Sequence, residues 1–133
     1  MSAPKDRLEA ELSIYQLCQR YAHAVDIHGG AAQAACFTDD GWFAVSSGAR
    51  STKAEMAARA MPADVKRRHF FTQPVIDFTS ADTATGEGFC QILEWYPATG
   101  EKKPPFSVDY HDEYRREGVG WLLVSRRITM SFG

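Results

Sequence analysis

The chain has 133 residues, which is the length of one ordinary domain with a single core and room for one pocket. Apolar residues make up 44% of the sequence and charged residues 24%, which excludes disordered and fibrous proteins. Fifteen Lys and Arg are balanced by seventeen Asp and Glu, so no excess positive charge is present to bind a nucleic-acid backbone. We therefore expect one domain over residues 1–133 that does not bind nucleic acid.

The N-terminal residues and the cysteines together predict a cytoplasmic protein. The first seven residues contain no apolar run, so no signal peptide is expected. No stretch approaches the ~20 apolar residues of a membrane-spanning helix, so we expect no membrane association. Cys18, Cys36 and Cys90 form no CxxC pair, and an odd number of cysteines suits a reducing compartment.

The first thirty residues have the periodicity of a helix. Apolar residues recur every three or four positions at Leu8, Leu12, Tyr15, Cys18, Ala22 and Val25, and an adjoining stripe adds Ile14, Leu17 and Tyr21. This broad apolar face predicts that one side of the helix is deeply buried. Gly29 and Gly30 are expected to end this helix. A short helix over residues 31–36 is predicted next, and another is expected to start at the capping residue Ser51 and end before Pro62.

The rest of the chain predicts strands. After turn residues at 37–41, a first strand is expected over 42–45. Four longer extended runs cover residues 68–79, 84–96, 106–116 and 121–132 and are separated by hairpin connections. Helices followed by antiparallel strands indicate an α+β fold, and strands of this length must coil. We predict a curved antiparallel sheet wrapped around the long N-terminal helix, with a pocket on its concave side.

Three residues could carry chemistry, and each has an ordinary structural alternative. Asp26 lies about 40° from Ala22 on an ideal helix, so its carboxylate is either turned to water or buried with a partner. His69 opens an apolar strand and is either a core histidine or a base that a buried carboxylate orients. Tyr21, at the same end of the helix, is either a core aromatic or a hydrogen-bond donor to a substrate.

Strand alternation predicts further inward-facing polar side chains. Tyr110 and Asp112 point inward if Val108 does. In the last strand, alternation sends Arg126 or its neighbour inward, and a buried arginine needs an anion. Asp112, Glu94 and a substrate carboxylate are the available alternatives.

No sequence motif indicates a metal or a cofactor. His23 and His28 point about 140° apart on a helix, and HExxH, cysteine-rich and EF-hand patterns are all missing. No glycine-rich nucleotide motif occurs. We expect neither a metal nor a cofactor, and we expect the basic residues 66–68 to form a solvated surface.

Five segments stand in order along the chain, at residues 20–26, 36–41, 68–69, 110–114 and 120–127, the last combining Gly120-Trp121 with a closing pair of arginines. Together they resemble the SnoaL-like branch of the nuclear transport factor 2-like superfamily. The resemblance implies a cone-shaped α+β barrel with a deep apolar pocket. It also implies a homodimer or homotrimer formed through the outer face of the sheet.

The chain is similar at Asp26 and His69 to scytalone dehydratase and hexachlorocyclohexane dehydrochlorinase, in which an Asp–His pair removes a proton without a cofactor. The resemblance implies a dehydratase-like lyase or isomerase acting on a small apolar or aromatic ring compound. His69 would be the general base, Asp26 would orient it, and Tyr21, which matches a tyrosine of a bile-acid dehydratase, would donate a hydrogen bond to the substrate.

A substrate-binding set completes the hypothesis. Its predicted members are Trp42, Phe71, Phe89, Trp95, Tyr96, Tyr110, Asp112 and Arg126. Tyr96 and Tyr110 align where scytalone dehydratase has a histidine and an asparagine, which implies a different substrate. Two other functions remain open at this stage: a non-catalytic small subunit of a ring-hydroxylating dioxygenase, and a ligand-binding module of the same fold.

Overall fold

A computed structural model describes residues 4–133 of the protein. The helix α1 spans Pro4–His23 and continues into a wider π-helical turn over Ala24–His28. Gly29 ends this turn with a φ of 101°, a conformation that favours glycine. In the described part of the chain, no helix is long and apolar enough to cross a membrane.

Two short helices follow, α2 over Gly30–Ala34 and α3 over Lys53–Ala57. The residue that caps α3 is Thr52, not the expected Ser51, because its side chain and that of Glu55 form a reciprocal capping box. A Cβ atom on Gly30 would collide with the carbonyl oxygen of Met56, so a glycine is needed for α2 to pack against the end of α3.

Eight strands form one mixed, curved and open sheet. Their bounds are β1 Phe37–Ala44, β2 Arg50–Thr52, β3 Lys66–Phe71, β4 Val75–Phe78, β5 Thr83–Tyr96, β6 Glu101–Lys102, β7 Phe106–Glu117 and β8 Gly120–Met130. The strand order is β2-β1-β8-β7-β5-β3, and β4 and β6 also pair with β5. This architecture confirms the predicted α+β cone, although the sheet does not close into a barrel.

The sheet differs from the prediction in three further ways. β1 pairs in parallel with β8, so the sheet is not purely antiparallel, and β1 starts at Phe37 within the predicted turn. The expected run over 68–79 is divided between β3 and β4 by Thr72–Pro74. Pro74 has no N–H for the ladder, and the hydroxyl of Tyr110 donates to the carbonyl oxygen of Thr72 at 2.5 Å.

Small residues on the inner face of β5 allow the sheet to curve. A Cβ atom on Gly86 would lie 2.8 Å from the ring of Tyr114, and one on Gly88 would lie 2.6 Å from the hydroxyl of Tyr110. Because these side chains are missing, two tyrosine rings from β7 can lie directly on β5. The concave face of the sheet then covers α1 and leaves a cavity beside it.

Candidate active site

A cavity of about 410 Å³ lies between the concave face of the sheet and the end of α1. This volume is typical of sites for small molecules. Its floor is formed by buried residues, namely Tyr21, Gln33, Cys90, Ile92 and Val108. Its rim is formed by exposed residues, which include Val45, Ser46, Met130 and the segment 59–62. The lining is mostly apolar, with a few polar side chains.

His69 and Asp26 form a hydrogen-bonded pair in the wall of this cavity. Asp26 lies in the π-helical turn after α1, and its Oδ1 is 2.5 Å from Nδ1 of His69 on β3. Its Oδ2 accepts a second hydrogen bond of 2.7 Å from the backbone N–H of the same histidine. The Asp26 side chain is only 5% exposed, so the carboxylate is turned to the histidine and not to water.

The other edge of the His69 imidazole is free for a ligand. His69 lines the cavity, and among residues 4–133 only Asp26 hydrogen-bonds its ring. The ring stacks on Phe71 with centroids 6.0 Å apart and planes inclined by 14°. With Nδ1 directed to a carboxylate, Nε2 is left as the nitrogen that can accept a proton.

Tyr21 presents a hydroxyl at the floor of the same cavity. Nε2 of Gln33 donates to this hydroxyl at 3.2 Å, so the oxygen acts as acceptor and its own proton can go to a ligand. Burial raises the pKa of Tyr21 to about 12, which keeps the hydroxyl protonated as a donor. Its ring packs edge-on against Phe71 at 5.8 Å. Phe71 therefore contacts the rings of both Tyr21 and His69.

Arg126 lies beneath the floor, where it is completely buried. Its Nε and Nη2 donate to the two carboxylate oxygens of Asp112 at 2.8 and 2.7 Å. Rings of Tyr21, Phe71 and Tyr110 surround the guanidinium at 4.4 to 4.8 Å. Burial by itself would lower the pKa of Arg126, but the charge and hydrogen bonds of Asp112 raise it well above its usual value.

This buried pair corrects part of the predicted substrate-binding set. Arg126 and Asp112 do point inward, as alternation predicts, but they bind each other under the floor and do not line the cavity. Tyr110 is also buried below the floor, and its hydroxyl donates a hydrogen bond to the backbone carbonyl of Thr72. Tyr96 lies at the end of β5, outside the cavity lining, with Nζ of Lys103 over its ring at 5.7 Å.

Three of the four aromatic residues predicted for the cavity wall lie elsewhere. Phe71 lines the cavity, but Phe89 and Trp95 are exposed on the opposite face of β5. They have the opposite parity to Cys90 and Ile92, which line the cavity.

The fourth predicted wall residue, Trp42, also lies outside the cavity. Its ring lies under the guanidinium of Arg50, which is 3.8 Å from the ring centroid. The next residue of β1, Phe43, lines the cavity instead.

Sequence reasoning also missed polar residues that line the cavity. Gln33 and Arg59 lie in a short helix and a connecting segment, where no periodicity assigns a side chain to a face. Arg67, predicted as solvated surface, is partly buried and donates to Glu94 at 2.6 Å. Strand parity taken from Cys90 would have placed the remaining apolar lining residues of β5, but not these three.

The arrangement can transfer a proton. Nε2 of His69 can take one from a ligand in the cavity, and Tyr21 can donate a hydrogen bond to the same ligand. Within residues 4–133, no group of three His, Cys, Asp or Glu side chains is placed to hold a metal ion.

Comparisons with known proteins identify a matching family and several similar structures. The family model of the SnoaL-like domain matches residues 6–127. A type 2 hexachlorocyclohexane dehydrochlorinase is 19% identical over 98% of this chain and 90% of its own, with a TM-score of 0.83. ActVI-ORFA from Streptomyces coelicolor is 26% identical over 96% of this chain and 99% of its own, with a TM-score of 0.77.

A candidate scytalone dehydratase from Novosphingobium aromaticivorans is 15% identical over 98% of this chain and 89% of its own, with a TM-score of 0.85. At 15% and 19% identity, the likeness to this structure and to the dehydrochlorinase shows a shared fold alone. No curated protein matches the sequence significantly.

The buried ion pair can be tested by removing the charge of its carboxylate. Asp112→Asn leaves the guanidinium of Arg126 buried without a counter-charge, and we expect the free energy of unfolding to fall by about 3–5 kcal/mol. Glu113→Gln is the matched control, because Glu113 is exposed and its carboxylate accepts a hydrogen bond from the Ser125 hydroxyl and, in the described part of the chain, from no charged group. Urea unfolding measures both variants, and equal stabilities would contradict the assigned importance of this pair.

Proposed function

The chain belongs to the SnoaL-like family, and from this premise we propose that it is a cofactor-independent lyase or isomerase acting on small apolar ring compounds. The observation that carries the proposal is the short hydrogen bond between Asp26 and His69 in the wall of an apolar cavity. A buried carboxylate beside an imidazole is the usual arrangement for a general base near neutral pH.

In the proposed reaction, Nε2 of His69 removes a proton from a carbon atom of the substrate. Asp26 keeps the proton of the neutral ring on Nδ1 and stabilises the imidazolium that forms. Two hydrogen bonds to one carboxylate, from Nδ1 and from the backbone N–H, fix the orientation of the ring. The base is thus placed before the substrate arrives.

Tyr21 would stabilise the negative charge that develops on the substrate. Its hydroxyl donates to the substrate oxygen that gains charge or leaves, since Gln33 occupies the acceptor side of that hydroxyl. In an elimination, the electrons of the C–H bond form a C=C bond while the leaving group departs with its own bonding electrons. In an isomerisation, the imidazolium returns the proton to another carbon.

Deuterium exchange can detect this proton transfer before the natural substrate is known. We expect the protein, incubated in D₂O with a panel of cyclic β-hydroxy and β-chloro ketones, to incorporate deuterium next to the carbonyl or to form the enone. His69→Asn should lower the rate by about 10²- to 10⁴-fold, because it removes the base. Nuclear magnetic resonance of the small molecules follows both outcomes.

His111→Asn provides the matched control for that experiment. His111 is exposed on the outer face of the sheet, where its Nδ1 lies 3.4 Å from Glu87, so its replacement should leave the rate unchanged. Binding of the probes without exchange or elimination would sink the proposed reaction. That outcome would instead favour a ligand-binding module or a non-catalytic subunit of a larger enzyme.

We further propose that the chain forms a homodimer or homotrimer through the outer face of β3 and β5. Phe70, Phe89, Leu93 and Trp95 are large apolar side chains that this face leaves exposed. Phe70 pairs with Gln91, which lies between Phe89 and Leu93 on the same face of β5, so the four side chains form one patch. Contiguous exposed apolar patches of this kind are typical of protein interfaces.

Light scattering after size-exclusion chromatography tests this assembly. We expect a mass of two or three chains for the unaltered protein. A lysine in the patch, Phe89→Lys, should shift the protein towards one chain, because a charge would be buried in the interface. Val119→Lys adds the same charge at a fully exposed turn residue and should leave the mass unchanged. A single-chain mass for the unaltered protein would contradict the proposal.

A further inference from the structure

The charges around the cavity are unequally compensated. Three basic side chains line it, those of Arg59, Arg67 and His69, and none of the Asp or Glu side chains among residues 4–133 does. Two of the three have a carboxylate partner just behind the wall. Asp26 lies 2.5 Å from the His69 ring, and Glu94 accepts a 2.6 Å hydrogen bond from Arg67. Arg59, located at the rim, is the third basic side chain.

Arg59 has no carboxylate within ion-pair distance in the described part of the chain. Its Nη2 donates to the hydroxyl of Ser51, which is a neutral partner. The nearest acidic residue along the chain is Glu55, whose carboxylate accepts a 3.0 Å hydrogen bond from the backbone N–H of Thr52 in the capping box of α3. The hydrogen bonds with Thr52 lower the pKa of the Glu55 carboxyl most, and the charge of Arg59 adds a smaller effect without forming an ion pair.

The backbone around Arg59 is held close to the floor of the cavity. A Cβ atom on Gly30 would lie 2.6 Å from the carbonyl oxygen of Arg59, so the two backbones are in direct contact. Two residues further on, the side chain of Met61 lies beside Gly29, where an added Cβ atom would be 3.3 Å from the Met61 Cγ. The bond to Ser51 uses one nitrogen of the guanidinium and leaves its other N–H groups available at the rim.

From this arrangement we infer that the substrate is an apolar ring compound that carries a carboxylate, and that Arg59 binds this carboxylate at the rim. The inference rests on the proposed function, because it places the ring of the same substrate on the apolar floor beside His69 and Tyr21. A planar guanidinium is suited to a planar carboxylate, and a positive charge without an ion-pair partner in the described chain favours an anion over a neutral ligand of equal size.

A pair of probes of nearly equal shape tests the inference without a known substrate. We expect 1-naphthoate to bind the unaltered protein about tenfold more tightly than 1-naphthamide, as measured by titration calorimetry at low salt. Arg59→Met keeps the length of the side chain and removes its charge, so it should abolish this preference. Arg50→Met makes the same change on the ring of Trp42, outside the cavity, and should leave the preference intact.

The salt dependence of the unaltered protein gives a second readout that needs no variant. Raising the salt from about 20 mM to about 300 mM should reduce the preference for naphthoate, because the site at the rim is partly exposed. Equal affinity for both probes, including no detectable binding of either, would overturn the inference. So would a preference that survives Arg59→Met.

Failure of the inference can be told apart from failure of the proposed function. Deuterium exchange with neutral ketones, together with equal affinity for the two naphthyl probes, would support His69 as the base. It would contradict only the inference that the substrate carries a carboxylate. A naphthoate preference that is lost in Arg59→Met, without exchange in any substrate tested, would support anion binding by Arg59. It would contradict the proposed reaction.

Discussion

The buried guanidinium of Arg126 connects the elements that form the cavity. It extends from β8, binds Asp112 on β7, and packs against the rings of Tyr21 from α1 and Phe71 from β3. An unpaired charge at this depth would cost several kcal/mol. The folded state is therefore stable only when the helix and the sheet bring Arg126, Asp112 and the surrounding rings into contact. Phe71 in turn stacks on His69. The location of the proposed base therefore depends on an ion pair that does not itself touch the cavity.

Two carboxylates near the cavity serve different purposes because of their surroundings. Asp112 is enclosed with an arginine and rings, where its charge is fully compensated within the fold. Within residues 4–133, Asp26 hydrogen-bonds only His69, whose ring lines the open cavity. The first interaction holds the structure together, and the second is the one that can take part in chemistry. The proposed role of Arg59 adds a charge that the fold leaves for a ligand.

Much of the fold could be predicted from the sequence because its signals are local. Helical periodicity located α1, and long alternating runs located the strands of the curved sheet. The parallel pairing of β1 with β8 could not be predicted, since nothing in the residues of either strand specifies so distant a partner. The division between β3 and β4 was missed although Pro74 was visible in the sequence. At the same break, the carbonyl oxygen of Thr72 accepts a hydrogen bond from Tyr110, 38 residues away, which no local pattern indicates.

The candidate site was predictable where a resemblance named both members of a pair, as for Asp26 and His69. Phe89 was misplaced although its position next to Cys90 on β5 puts it on the opposite face by alternation. The facing of Trp42 was not predictable, because β1 joins the sheet through a parallel pairing that only the folded sheet defines. The most direct test of the proposed dyad is the tautomer of His69, read from long-range ¹⁵N–¹H correlation spectra and assigned with His69→Asn. We expect the neutral ring to carry its proton on Nδ1, facing Asp26, and to switch or lose this preference in Asp26→Asn. A ring protonated on Nε2 in the unaltered protein would contradict the proposal, because the nitrogen facing the cavity could not accept a proton.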